Sequence, residues 1–167
     1  LRIVVGGVKR SGRVISLTPI GYVRNTRKDV EDDNWGGIVS EIVIEIGEEA
    51  LQGLEDFSHA EVIFYFDRVE EAKIVSGARH PRNNPDWPKV GILAQRGKNR
   101  PNRLGLTTVS VLRREGNVLT VNGLDAVDGT PILDIKPVMK EFLPRDEIRQ
   151  PAWASELMKE YWNKKGN

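Results

Sequence analysis

An excess of β-branched side chains constrains this chain more than any other feature. Valine and isoleucine together number 31, against 13 leucines and 8 alanines. Two heavy atoms on Cβ stiffen χ1 and suit a pleated strand, whereas leucine and alanine favour helix. The expectation is a mainly β fold. The 167 residues suffice for one core without staples, since a chain of this size buries about two thirds of its unfolded surface. Cysteine is absent, which excludes a disulfide framework, a thiolate zinc site and a cysteine nucleophile. His59 and His80 are the only imidazoles, which argues against a multi-histidine metal site. No apolar run approaches the ~20 residues of a membrane span. A soluble, cytoplasmic protein that uses neither a metal nor a membrane is therefore expected.

Periodicity divides the chain into strands. Ile42, Ile44 and Ile46 alternate with Glu41, Val43 and Glu45, as in a strand with one buried face. Residues 14–24 form a run broken by Pro19 and Gly21, which predicts a bent or edge strand. Residues 62–66 are apolar on both faces and read as a central strand, and 90–94 as another. Residues 106–114 and 118–122 flank Glu115-Gly116-Asn117, a hairpin connection in which Gly and Asn tolerate positive φ. Residues 132–138 close the series after the turn Asp128-Gly129-Thr130-Pro131. Helices are few. A short one is predicted over 48–55, opened by acids that suit a helix N-terminus. An amphipathic C-terminal helix is predicted over 152–164, with Trp153, Leu157 and Tyr161 spaced by four and Met158 and Trp162 beside them. Its aromatic stripe would dock on its own domain or grip a partner. The whole chain, 1–167, reads as a single domain.

Charge is unevenly spread. Between Arg79 and Arg114 nine basic residues face a single acid, Asp86. That stretch carries +8 in a chain of net charge +1, which leaves −7 elsewhere. A basic segment on an acidic body suits a local polyanion site, or else a solvated loop face. Two long connections accompany it: 26–37, acidic through Asp29, Glu31, Asp32 and Asp33, and 76–89, rich in Pro, Arg and Asn. Ordered loops of this length are often functional.

No phosphate loop, dinucleotide fingerprint, zinc-protease helix motif or nucleophile elbow is present, and βα alternation is missing. Ser58 adjoins His59, but neighbours on a strand point to opposite faces, so no nucleophile pair is expected there. Two other segments hold the chemistry. In residues 91–106 a strand enters a basic loop closed by Gly97 and Gly105, with Arg96, Arg100 and Arg103 offering planar forks for carboxylates or phosphates. Asn102 adds a donor and an acceptor fit for an adenine edge or an amine. In residues 122–137, Asp125 lies between apolar neighbours just after a strand, where it would bind a ribose hydroxyl or an ammonium group. Asp128 reads as a turn former, and Asp134, alternating with Ile132 and Lys136 along a strand, as a member of either a structural or a functional ion pair.

These segments, together with Pro19-Ile-Gly-Tyr-Val-Arg-Asn25, Leu54-Glu-Asp-Phe-Ser-His59, Gly123-Leu-Asp-Ala-Val-Asp-Gly-Thr-Pro131 and Leu133-Asp-Ile-Lys-Pro137, occur in one order along the chain. In that order the sequence resembles the TrmO-like (TsaA/YaeB-like) family of S-adenosylmethionine-dependent tRNA methyltransferases. The resemblance implies a β-barrel-like domain, a homodimer, and methyl transfer to N6 of a threonylcarbamoyl-modified adenosine beside a tRNA anticodon. It also implies that Arg96, Leu106, Asn122, Gly123, Leu124 and Asp125 line the cofactor site, with Arg100-Pro101-Asn102 near the transfer centre. The chain departs from the family at Asp33-Asn-Trp-Gly36, at Asp67-Arg68 and at Arg103-Leu104.

From residue chemistry, Trp35 would stack on adenine, and Asp67, with Arg68 beside it, would hold the cofactor's amine or ribose. Asn102 and Asp125 are the candidate catalytic acceptors for the adenine N6–H. Arg79, Arg82, Lys98, Arg100 and Arg103 are the candidate tRNA contacts. Two alternatives stand beside this reading: a cofactor- or RNA-binding module of the same fold without turnover, and methyl transfer to a substrate other than RNA.

Overall fold

The computed structural model describes residues 3–5 and 14–164. β1 (Ile3–Val5) and β2 (Ile15–Leu17) form a two-stranded antiparallel ribbon. The chain continues through β3 (Gly21–Arg24), β4 (Val39–Ile44) and β5 (His59–Tyr65). β6 (Ala78–Arg79) and β7 (Val90–Gly91) pair with each other, inside the long connection that follows β5. β8 (Leu104–Glu115), β9 (Val118–Asn122) and β10 (Pro131–Pro137) complete the set. Six strands close an antiparallel barrel in the order β10-β3-β4-β9-β8-β5. The mainly β, barrel-like expectation is met.

Inward and outward residues alternate as a half-buried sheet requires. Along β8, Gly105, Thr107 and Val109 are buried while Leu106 and Thr108 are exposed. Val23, Ile42, Ile44, Val62, Phe64, Val109, Leu119, Val121 and Ile132 fill the interior, none more than 2% exposed. Each such side chain stabilises the fold by about 1.5–3 kcal/mol relative to exposure. Packing is close enough that a Cβ on Gly105 would overlap the Phe64 ring. Two register shifts, between Val111 and Arg113 and between Ile132 and Asp134, help the sheet curl into closure.

Because every barrel pairing is antiparallel, the connections alternate between two rims. Tyr65 pairs with Leu104, Val39 with Asn122 and Arg24 with Glu41. One rim therefore collects the connections 25–38, 66–103 and 123–130. The other holds 45–58 and the Gly116-Asn117 turn of the predicted hairpin.

Several local expectations are corrected. Ile46 lies beyond the end of β4 and is 61% exposed. The predicted 14–24 strand is two strands, β2 and β3, with Pro19 between them. The helix predicted over 48–55 is two 3-10 turns, Glu48–Leu51 and Leu54–Asp56, separated at left-handed Gly53. The strand predicted over 90–94 is β7 followed by the 3-10 turn Ile92–Ala94. Ser58 precedes β5, so strand alternation does not bind it, and its Oγ lies 2.8 Å from His59 Nδ1. The C-terminal helix α1 spans only Ala152–Leu157, not 152–164. Past Leu157 the chain tightens into i→i+3 turns, Lys159 N–H donating to Glu156 O (3.2 Å) and Tyr161 N–H to Met158 O (3.1 Å), while Glu160 O and Tyr161 O accept from Asn34 N–H (3.2 Å) and Trp35 N–H (2.8 Å).

Candidate functional site

The rim with the three long connections holds every candidate site residue. Its framework is a junction between 25–28 and the 123–130 connection. Asn25 donates through its backbone N–H to Asp128 Oδ1 (3.0 Å) and through Nδ2 to Ala126 O and Ser40 Oγ, both at 2.9 Å. Lys28 Nζ lies 2.5 Å from Asp128 Oδ2. The Lys28 hydrogen bond, then the Asn25 N–H, hold the Asp128 carboxyl below the usual carboxylate range. Arg68 is committed to the same junction, donating to Lys28 O (2.6 Å) and Asp128 O (2.8 Å). Its neighbour Asp67 is exposed at the end of β5. Asp134 has the expected ion pair, 3.0 Å from Lys136 Nζ.

Asp125, just after β9, is held by two hydroxyls. Thr107 Oγ1, from β8, donates to Asp125 Oδ1, and Tyr161 Oη donates to Oδ2. Each carboxylate oxygen thus has one donor and keeps a lone pair for another. Burial, followed by the charge of Asp125, pushes the Tyr161 hydroxyl well above its usual pKa, so it stays a donor. The positive charges of Arg96 and Arg82 act on the same hydroxyl in the opposite sense. Arg96 also donates to the Leu106 carbonyl. Leu106 itself projects outward, 44% exposed. Asn122 pairs with Val39 and Ser110, and Gly123 follows at φ +84°. Leu124, expected to line the cofactor site, is instead fully buried in the hydrophobic core.

The basic segment is largely spent on the chain itself. Arg82 grips Asp33 with both terminal nitrogens, at 2.9 and 2.6 Å. Lys98 Nζ lies 3.5 Å from Asp32. Arg100 donates to Gln95 O (2.9 Å), and Arg103 to Val69 O (2.7 Å) with its guanidinium 4.9 Å from the Tyr65 ring centroid. Arg79 accepts from Gln95 through its carbonyl, and its Nε is buried without a hydrogen-bond partner among the described residues. Asn102 is exposed in the turn closed by the Arg103 N–H to Arg100 O bond (3.0 Å).

Trp35 departs from the expected role of stacking platform. It is 4% exposed, with the Arg27 guanidinium 4.5 Å from its ring centroid. The C-terminal strap, residues 152–164, packs beside it. A Cβ on Gly36 would overlap the Trp162 carbonyl, and the Trp162 ring lies 4.0 Å from where a Gly123 Cβ would stand. Sequence reasoning missed Thr107 and Tyr161 as site residues. Thr107 carries a faint signal, a polar residue at an inward strand position; Tyr161 carries none beyond its place in the aromatic stripe.

Fold and rim together define an antiparallel six-stranded barrel whose long connections build one loop-lined site around a doubly held carboxylate. The chain belongs to the tRNA-methyltransferase O family: residues 33–142 match its N-terminal domain. Residues 143–164, and so the strap, lie beyond that match. A probable S-adenosyl-L-methionine-binding protein of Pyrococcus abyssi is 33% identical over 146 residues, covering 81% of this chain and 74% of its own. The human tRNA (adenine(37)-N6)-methyltransferase is 35% identical over 104 residues, 62% of this chain but 23% of the human protein. The crystal structure of TrmO from P. aeruginosa superposes with TM-score 0.66 at 26% identity, covering 83% of this chain and 61% of that one. This chain therefore spans less than two thirds of several proteins it matches.

Proposed function

We propose that this chain is an S-adenosylmethionine-dependent methyltransferase acting on N6 of adenosine in tRNA, with the threonylcarbamoyl-modified adenosine beside the anticodon as acceptor. The observation that carries the reading is the Asp125 carboxylate at the loop-bearing rim, held by Thr107 from β8 and by Tyr161 from the strap, with Arg96 close enough to act on the Tyr161 hydroxyl. Family membership and the names borne by the human and Pyrococcus relatives support it.

The rim residues fit such a cofactor. Asp125 is acceptor-only and keeps lone pairs for hydroxyls or an ammonium group. Leu106 offers exposed apolar surface for an aromatic ring, and Gly123 contributes no side chain to the space beside it. When bound, the cofactor supplies a methyl group already activated by a sulfonium sulfur. The chain's own work is then binding and orientation more than acid–base chemistry. We assign Asn102 Oδ1 as the acceptor for an adenine N6–H, which favours the rehybridised amine. Arg79, Arg82, Lys98, Arg100 and Arg103 contribute to the positive field that draws in tRNA, although four of them are tied to internal partners. A homodimer in the cytoplasm belongs to the same reading.

Radiolabelled methyl transfer to total tRNA, followed by nucleoside mass spectrometry, tests the proposal. The expected product is a methylated derivative of threonylcarbamoyl-adenosine. Cofactor binding with no methylated nucleoside would instead identify a binding module of this fold. Asn102→Ala should slow single-turnover methylation by about tenfold or more at saturating tRNA and cofactor; an unchanged rate removes Asn102 from the mechanism.

A further inference from the structure

The strap that carries Tyr161 has no part in the matched family domain, yet it ends in the site. Three features tie it there. Its backbone carbonyls at Glu160 and Tyr161 accept from Asn34 and Trp35. Its Trp162 backbone sits on Gly36, where any side chain would collide. Further back, Glu156 Oε2 accepts from Trp87 Nε1 at 2.7 Å, fastening α1 to the 66–103 connection. The Tyr161 and Trp162 rings pack edge to face, 5.0 Å between centroids.

Two roles are open to a segment in this position: a plug that a ligand must expel, or a wall that the ligand binds against. The bonding favours the wall. Tyr161 engages one oxygen of Asp125 and Thr107 the other, which fixes the carboxylate plane without exhausting its acceptor capacity. The strap's backbone is anchored to 34–36, and it reaches Asp125 and Gly123 only through the Tyr161 hydroxyl and the Trp162 ring. A carboxylate held from two sides is preorganised for a ligand's hydroxyl or ammonium group, which lowers the ordering cost of binding.

We propose that Tyr161 is a positioning residue for the nucleoside cofactor, acting through Asp125, and that the strap bearing it is a standing wall of the site. This rests on the cofactor reading above, and the experiment separates the two. Isothermal titration with S-adenosylmethionine is run on the full chain and on Tyr161→Phe, Asp125→Asn and the double variant, each with a melting curve. Wild-type binding is expected, with about tenfold weaker binding in Tyr161→Phe. Because Tyr161 acts through Asp125, the second substitution should cost less than about twofold more in the Asp125→Asn background. No binding by the wild-type chain overturns the cofactor reading and this inference together. Wild-type binding with Tyr161→Phe unaffected, or with fully additive losses, overturns the inference alone. Hydrogen exchange on the wild-type chain gives an answer that does not depend on any variant folding. Added S-adenosylmethionine should slow exchange of the Trp35 amide and of residues 158–163, whereas faster or unchanged exchange there overturns the wall.

Discussion

Replacing Gly36 with alanine would dislodge the strap while leaving Tyr161, Asp125 and the barrel chemically intact. Gly36 is not in the left-handed region, so alanine meets no backbone strain and the cost is steric. The obstacle is the Trp162 carbonyl, a backbone group that no rotamer change can move aside. Relief requires the strap to shift as a whole, which breaks the Asn34 N–H to Glu160 O and Trp35 N–H to Tyr161 O bonds. Two neutral hydrogen bonds at about 1 kcal/mol each put the loss of docking free energy near 2 kcal/mol, about thirtyfold in an opening equilibrium. Native-state hydrogen exchange reads this directly, because the Trp35 amide reports docking and the Ile42 amide, within the barrel, reports global stability. The Trp35 amide should exchange about thirtyfold faster in Gly36→Ala, with Ile42 unchanged. An unchanged Trp35 amide would show that the strap does not depend on this seat. Equal acceleration of both would show that strap and barrel unfold as one unit.

Asp128→Asn should remove a pH-dependent part of stability. The Asp128 carboxyl is held below its ordinary value of 3.8, so its contribution is present above that value and fades as pH falls through the lower, folded one. Denaturant titrations should find the variant less stable than wild type at about pH 6, with the gap narrowing as pH falls below 3.8; a constant gap would mean that the Lys28 and Asn25 contacts do not depend on the charge. Gly105→Ala drives a methyl into the Phe64 ring and should cost about 1–3 kcal/mol. That lowers the melting temperature by about 2–4 °C per kcal/mol for a chain of this size; an unchanged melting temperature would mean that Phe64 has room to yield.

The β character and the β8–β9 hairpin were legible because both are local: β-branched residues and a Gly-Asn turn act through neighbouring backbone. Barrel closure was not, since β10 slots between β3 and β5 through pairings more than 60 residues apart in sequence. Asp125 stood out as an acid among apolar neighbours. Tyr161 did not, because fourfold spacing with Trp153 and Leu157 is also the pattern of a packed helix face. The strap beyond that helix is held by the Asn34 and Trp35 amides, over 120 residues away, and no local propensity encodes that contact. Counting charge does not show how the basic segment is paired, for the same reason. Arg82 and Lys98 look free in sequence, while Asp33 and Asp32, on a distant loop, hold them in the fold.

Strand parity explains why the strap is built as it is. β10 starts at the site rim and therefore ends at the opposite one, so any following segment that contributes to the site must travel back along the barrel. A seven-residue strand covers about 23 Å. Residues 139–151, all exposed, reach about 40 Å when extended, enough for that return with slack for curvature. An amide-rich loop at 34–36 then catches the returning chain, and α1 needs only two turns to turn it inward. Tyr161 consequently meets Asp125 from outside the barrel while Thr107 meets it from within, and this opposition of an inner and an outer donor is what fixes the carboxylate.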